Sequence, residues 1–503
     1  MTVFSRLVGP TMSRTMTLSS SSSTSAAAPA ARAPSARVGV SAGLHLRPNL
    51  AAAAQKKQYA TLNSSPVVQT LQKKILALAE KKKDDLATIK KSEKTVASVT
   101  PSQIFGGMRG MPGMVTETSD LHPEKGITYR GYSLKEANSL LPKANAAGKS
   151  GLPEAAWWLL LTGEVPTDAE VKALNEELSK RAAIPAHVLK TLDSVPTTTH
   201  PMTQLSICLL ALQSGSQFHK AYSSGTLNKK DYWMFVLDDA ISLVAQIPTV
   251  AAHIYRRVFH DGKVAAWDPS LDWAGNYANM LNCANKGQEE PFREVTRLYL
   301  MLHADHEGGN VSSHTTHVVG SALSDPFMAW AAGNCGLAGP LHGLANQECL
   351  RWLEETQKKL GGAEPTKENV TQITKDTLAA GKVVPGFGHA VLRAPDPRYM
   401  LEYEFCKENL PNDPTFKLAD MCYQAIPPVL EATGKVKNPW PNVDALSGTV
   451  MKYYGLKEAD YYTVVFSVSR VLGVTAQQVW SRVMGVPIER PNSVTMDWIK
   501  SKL

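Results

Sequence analysis

From Leu152 onward one helix signal follows another, and strict two-residue alternation is nearly absent, so no large sheet can be built from this chain. The apolar run Ala155–Leu161 stops at Thr162-Gly163. Thr167-Asp168, with Glu170 three residues after the threonine, reads as the capped start of a helix through Arg181, and Pro185 opens another. Leu344, Leu350, Leu353 and Leu360 recur at helical spacing, with Lys358-Lys359 in the last turn before Gly361-Gly362. Upstream, residues 66–91 read as one basic amphipathic helix, with Val68, Leu71, Ile75, Leu78, Leu86 and Ile89 on or near one face. Residues 105–133, rich in glycine and short polar turns, are the one place for a few short strands. No internal repeat is visible. The fold class is all-α, with many helices packed on one another. Pro/Gly-rich crossings near 336–343 and 438–448 divide it into a large helical domain, 60–342 with 451–503, and a small one, 343–450, with chemistry expected in the cleft between them.

Charge would mislead without position. The net charge is +8, yet residues 1–59 hold seven basic residues (Arg6, Arg14, Arg32, Arg37, Arg47, Lys56, Lys57) and no acid. The remainder has 46 basic against 45 acidic residues, so nothing points to nucleic acid. The acid-free, Ser/Ala/Arg-rich stretch 1–59 has the composition of a mitochondrial transit peptide, with Lys57-Gln58-Tyr59-Ala60 as a matrix-processing site. The last three residues, Ser501-Lys502-Leu503, form a competing peroxisomal address. Six cysteines without Cys-x-x-Cys pairing suit a reduced compartment. No uncharged apolar run reaches about eighteen residues; Met234–Ile254 is broken by Asp238-Asp239 and Val464–Trp480 by Arg470, so no membrane span is expected.

Several segments carry chemistry-bearing side chains. In Gly339-Pro340-Leu341-His342-Gly343 a histidine stands just before a helix, whose unpaired N–H groups disfavour imidazolium. A neutral ring there can donate to a developing oxyanion, although a capping or core role is equally open. His303, His306, His314 and His317 surround Asp305, Glu307 and Asn310. That spacing admits a metal site, but Gly308-Gly309 argues against one continuous helix through all four, leaving oriented imidazoles as the alternative. Val383-Val384-Pro385-Gly386-Phe387-Gly388-His389 is a second Gly-bracketed histidine, followed by Arg393, Asp396 and Arg398; it has neither a Walker lysine nor a dinucleotide fingerprint. Asp444 follows Asn442 in a Pro-punctuated loop. Arg470 lies in an apolar helix, where a guanidinium needs a partner, and Arg490 falls in Pro487-Ile488-Glu489-Arg490-Pro491. A structural Arg–Glu pair for Arg470 and a surface position for Arg490 are the plain readings. Together the parts make a kit of two imidazoles, one carboxylate and arginines suited to a multiply anionic substrate.

At this point the sequence resembles citrate synthase of the longer eukaryotic type, over about residues 66–500. The resemblance rests on His306–His317, Gly336–Glu348, Val384–Tyr399, Asn442–Gly448, Phe466–Gly473 and Pro487–Pro491. It implies an all-α homodimer with a large and a small mobile domain in each subunit, condensing acetyl-CoA with oxaloacetate and water to citrate and CoA. By motif, His342 matches the histidine that stabilises the enol, Asp444 the base that removes the methyl proton, and His389 the histidine that polarises the oxaloacetate carbonyl. His306, Arg398, Arg470 and Arg490 match the groups that hold the carboxylates, Arg490 resembling one lent by the partner subunit. Arg109, Arg393, Lys435 and Lys437 fall where CoA phosphates are expected. Val383, Val384 and Gly386, with Asn442 beside them, fall where its adenine end would pack. Lys229-Lys230 stand where a further phosphate arginine is expected, which keeps charge and loses the bidentate fork.

The implied chemistry is enolisation, aldol-type addition and thioester hydrolysis in a closed site, with no cofactor and no metal. The nearest alternative is 2-methylcitrate synthase, which uses propionyl-CoA; one methylene changes discrimination by only roughly 1–3 kcal/mol. An alternative from another class is a metal-dependent hydrolase built on the His303–His317 cluster.

Overall fold

The computed structural model describes Leu62, residues 65–225 and residues 227–503; the expected leader and its processing site lie outside the described residues. Among the described residues the regular structure is helical apart from one three-stranded antiparallel sheet, Ser119–His122, Gly126–Tyr129 and Tyr132–Ser133, in that order. All three strands fall inside 105–133, where strands were expected. The first two pair from Ser119↔Tyr129 to His122↔Gly126, and the second hairpin turns on Arg130-Gly131, both at positive φ as a two-residue turn of this hand requires.

The expected caps are present. The helix Pro153–Thr162 ends on left-handed Gly163, and Thr167 and Glu170 form a reciprocal capping box on Asp168–Arg181. The helix Ala345–Leu360 stops at left-handed Gly361. The segment 66–91 differs from expectation. It is two helices, Pro66–Lys81 and Lys83–Lys91, broken at Lys82, whose ammonium turns to Glu117 at 2.6 Å. The first half buries Val67, Val68, Leu71 and Ile75; the second has no fully buried residue, touching the body through Leu86 and through Lys90, which donates to the Met484 carbonyl at 2.6 Å, and Ile89 is exposed.

The core is built on Tyr232–Phe259, packed against Tyr462–Val483. By length and composition the first could cross a membrane, yet most of it is buried inside the protein. Its Asp239 is buried and satisfied by the Ser216 hydroxyl and by the N–H groups of Gln217 and Phe218. In Tyr462–Val483 twenty consecutive residues, Tyr462 to Ser481, are buried, which brings Arg470 to the centre of the molecule. Gly473 permits this: a Cβ there would stand 2.4 Å from the Ala304 carbonyl oxygen, to which its own N–H donates at 3.0 Å. The helices Ala345–Leu360, Lys367–Ala379, Pro397–Asn409, Pro414–Ala432 and Asp444–Tyr453 pack chiefly on one another. Pro397–Asn409 and Asp444–Tyr453 also touch Glu289–Leu302, so their N-terminal ends meet the loop 303–310.

Candidate active site

The loop after Glu289–Leu302 forms one wall. His303 stacks on Tyr299, with ring centroids 4.0 Å apart, and its Nδ1 bonds the Tyr299 carbonyl; burial takes its pKa down to about 3, so the ring is neutral. Asp305 is a buried hub. Its carboxylate accepts from the Thr118 and Ser119 hydroxyls, the His306 N–H and the Gln477 amide, tying the sheet edge and the Tyr462–Val483 helix to this loop. His306 is thereby held with its ring 5.6 Å from that of His389, and its buried Nε2 has no partner.

His389 comes from the opposite wall. Its Nδ1 accepts from the N–H groups of Val391 and Leu392, each at 3.0 Å, which assigns the ring proton to Nε2. Burial first, then Arg398, lowers its pKa to about 4. Arg398 is buried and held twice by Asp396, Nε to Oδ1 at 3.1 Å and Nη2 to Oδ2 at 2.7 Å. Burial alone would weaken its charge; the Asp396 carboxylate more than offsets that. Arg470 contrasts with it. It is 1% exposed and forms no ion pair among the described residues. Instead it donates to the His303 carbonyl at 3.0 Å and to Asn310 at 3.4 Å, and lies 4.7 Å over the Phe466 ring. Burial lowers its pKa to about 10, still fully charged at neutral pH. The plain reading, a structural Arg–Glu pair, is not met among the described residues.

His342 lies in the turn before Ala345–Leu360, as the sequence indicated, but the helix end that fixes its proton is another one. The Ser312 N–H, in the first turn of Val311–Ser321, donates to His342 Nε2 at 3.3 Å, with the Ser312 hydroxyl 2.9 Å away. A backbone N–H can only donate, so Nε2 carries the lone pair and Nδ1 the proton. Burial, then Arg470 and Arg398, takes the pKa down to about 4. Asp444 opens the helix Asp444–Tyr453, and its N–H donates to the Asn442 amide oxygen. Burial raises its carboxyl to about 6 against the pull of Arg398 and Arg470. The site therefore holds two neutral rings with opposite tautomers, a carboxyl titrating near neutrality, and two buried guanidiniums.

The expected CoA-side residues are arranged less tightly. Arg109, Val383, Lys435 and Lys437 are exposed, and none is hydrogen-bonded to the cluster. Val384 is buried, and Arg393 folds back on the carbonyls of Val391 and Leu392. Gly386, at φ +78°, passes so close to Ala445 and Cys349 that a Cβ would meet both at 2.8 Å. Asn442 is a staple: its N–H donates to the Gly386 carbonyl at 2.9 Å and its amide to Gly388 at 3.0 Å. Lys229 and Lys230 lie in a short exposed turn. Arg490 is exposed, and no hydrogen bond or ion pair joins its side chain to the described residues. The four clustered histidines diverge, since His314 and His317 face Glu489 while His303 and His306 face the cleft. Among the described residues no group of three or more His, Cys, Asp or Glu side chains is placed to hold a metal ion.

Sequence reasoning missed Ser312 and the hub role of Asp305, and it passed over Glu402. That acid is buried one turn beyond Arg398, with an unpartnered Oε2, and burial pushes its pKa well above the carboxylate range. Only its position four residues from Arg398, in an otherwise exposed-looking run, could have signalled it.

A family profile described as "Citrate synthase, C-terminal domain" matches residues 107–492. A protein of Xiphias gladius named "Citrate synthase, mitochondrial" is 53% identical over 80% of this chain and 84% of its own. One of the same name from Daucus carota is 51% identical over 81% and 84%. Among solved structures, citrate synthase from Pyrobaculum aerophilum superposes with a TM-score of 0.66 at 28% identity, covering 80% of this chain and 96% of that one. One from Thermoplasma acidophilum, a ternary complex with carboxymethyl coenzyme A and oxaloacetate, gives 0.64 at 22%, covering 79% and 97%. The fold is therefore that of the all-α citrate synthases, and the class of protein is a transferase. The chain belongs to the citrate synthase family and is a citrate synthase by activity, of the kind named mitochondrial.

Proposed function

We propose that this citrate synthase joins acetyl-CoA to oxaloacetate through the cluster just described, with Asp444 as general base, His342 as enol donor and His389 as carbonyl donor. The observation that carries the reading is the pair of opposite tautomers. His342 offers Nδ1–H because Nε2 is engaged by Ser312, and His389 offers Nε2–H because Nδ1 is engaged by Val391 and Leu392. A thioester methyl is a very weak acid, so removing its proton requires a donor at the forming enol oxygen at the same moment. Asp444, raised to about 6, is ionised at neutral pH yet basic enough to take that proton. The enol carbon attacks the oxaloacetate carbonyl polarised by His389, and water then cleaves the thioester. His306, Arg398 and Arg470 hold the substrate carboxylates; Arg470, buried and without an ion pair, is the strongest support for a dianionic ligand. Each step is served by a side chain of this cluster, so the proposal invokes no cofactor. The CoA end is held by Arg109, Arg393, Lys435 and Lys437, with Val383, Val384, Gly386 and Asn442 shaping the loop against its adenine.

The active unit is a homodimer with shared sites. Leu210, Val311, Val318 and Met328, on three neighbouring helices, and Leu341 in the turn beyond them are exposed apolar side chains suited to covering by a second copy. Arg490, free of its own chain, is the group lent across. Closure of the small domain, 343–450, on the large one, 60–342 with 451–503, excludes water around oxaloacetate. Mixing Arg490→Ala with Asp444→Asn subunits, each inactive alone, regains part of the activity, since one site of the mixed dimer keeps both groups; no recovery in verified heterodimers rejects the shared site. Turnover on acetyl-CoA exceeds that on propionyl-CoA, and the reverse preference moves the assignment to 2-methylcitrate synthase. The compartment is the mitochondrial matrix, as the relatives' names and the acid-free leader suggest. A tagged protein keeping its own Ser501-Lys502-Leu503 free marks mitochondria, and confinement to peroxisomes rejects this.

A further inference from the structure

His314 and His317 are the two imidazoles of the His303–His317 run that the proposed reaction leaves unused. They lie one turn apart on Val311–Ser321, and both face one carboxylate, that of Glu489. His314 Nε2 is 2.8 Å from Oε1 and His317 Nε2 is 3.5 Å from Oε2. At the end of the same helix the Ser321 hydroxyl accepts the Glu489 N–H at 2.9 Å. One helix thus grips one residue at both its side chain and its backbone. The segment around it, 486–495, has no helix or strand. Past Val486 and before Thr495, its only hydrogen bonds to the body among the described residues run through Glu489. The next residue along is Arg490.

A long side chain on an irregular segment has many conformations to lose on binding, and fixing its neighbour reduces that loss beforehand. An unheld Glu489 would also be free to pair with the adjacent guanidinium, competing with a substrate carboxylate. We propose that Glu489, latched by His314 and Ser321 with the His317 ring alongside its unbonded Oε2, is a positioning residue that aims Arg490 at the oxaloacetate site of the second copy. This rests on the reading of Arg490 as a lent group.

The test uses full-length dimers. Glu489→Ala raises the oxaloacetate KM roughly tenfold while kcat and the acetyl-CoA KM change less. His314→Ala, which cuts the same latch from the helix side, gives the same split and serves if the first variant fails to fold. In heterodimers of Glu489→Ala with Asp444→Asn, the one competent site belongs to the Glu489→Ala chain and draws its Arg490 from the chain whose latch is intact. Its oxaloacetate KM therefore returns to the wild-type value, which no defect confined to the variant's own chain would allow. A KM still raised in verified heterodimers, or wild-type KM in both homodimeric variants, overturns the latch. If Arg490→Ala leaves oxaloacetate affinity, followed by calorimetry, unchanged, the shared-site reading has failed; if Arg490→Ala weakens it and the latch variants keep the wild-type oxaloacetate KM, only the latch has.

Discussion

The two walls of the cleft are buried to a similar degree but are satisfied very differently. On the wall formed by 386–398 and 440–444, polar groups find partners within the chain: Arg398 with Asp396, His389 Nδ1 with two N–H groups, Asn442 with Gly386 and Gly388. On the wall formed by 303–312 and Arg470, His306 Nε2 has no hydrogen-bond partner, and Arg470 feels the Asp305 carboxylate only at a distance, with no ion pair in contact among the described residues. Burying an uncompensated charge is costly, and a fold keeps one only where something else supplies the compensation. On the proposed reading, the unsatisfied wall is the one that receives the dianion, and the satisfied wall is the frame that holds the base.

The sharpest break in this contrast is Asp444→Asn. It removes the one group on the satisfied wall that must change protonation, so turnover falls roughly 10²–10⁴-fold while oxaloacetate binding, followed by calorimetry, is retained. Near wild-type turnover would reject the base assignment. Next come the two arginines. Arg470→Met raises the oxaloacetate KM roughly 10²-fold and leaves resistance to denaturant equal or improved, because no carboxylate in the chain loses its partner. Arg398→Met instead strands Asp396 and lowers stability by about 3–5 kcal/mol in denaturant titrations. Equal stability losses would erase the distinction between the walls.

A smaller effect is expected from pH. Asp444 must be ionised to act, and its pKa is about 6, so kcat/KM falls close to tenfold per unit on acidifying below that value. His342 and His389, both near 4, remain neutral donors through the same range. An acid limb that persists unchanged in the residual activity of Asp444→Asn would assign it elsewhere. The smallest effect belongs to Ser312→Ala. The backbone N–H that sets the His342 tautomer remains, so only a neutral hydrogen bond of roughly 0.5–1.5 kcal/mol is lost and turnover drops a few-fold. A loss as large as that of Asp444→Asn would make the hydroxyl, not the amide, the group that controls the ring.

Much of this was legible in the sequence, for a physical reason. Caps such as Thr167 with Glu170, stops such as Gly361, and the strands within 105–133 are decided by residues a few positions apart. The site residues His342, His389 and Asp444 stand beside glycines, prolines or helix starts that mark them locally. What stayed hidden was set by distant contacts. His342 takes its tautomer from Ser312, thirty positions away, and Arg470 takes its bond from the carbonyl of His303, 167 away. Asp305, read as one member of a possible metal cluster, is satisfied by Thr118, Ser119 and Gln477. The break at Lys82, whose ammonium meets Glu117, likewise has no mark in the helical periodicity within 66–91.

The Asn442 staple has a mechanical consequence. With Gly388 donating to the Trp440 carbonyl and Asp396 to that of Pro441, the loop carrying His389 and the loop leading into Asp444 are riveted at several points over a short span. The spacing between those two groups is therefore a machined dimension, indifferent to slow breathing of the molecule. Positional noise enters only across the gap toward His306, Arg470 and His342. A replacement that loosened the rivets, Asn442→Ala for instance, would spread that noise to the one distance the fold keeps quiet.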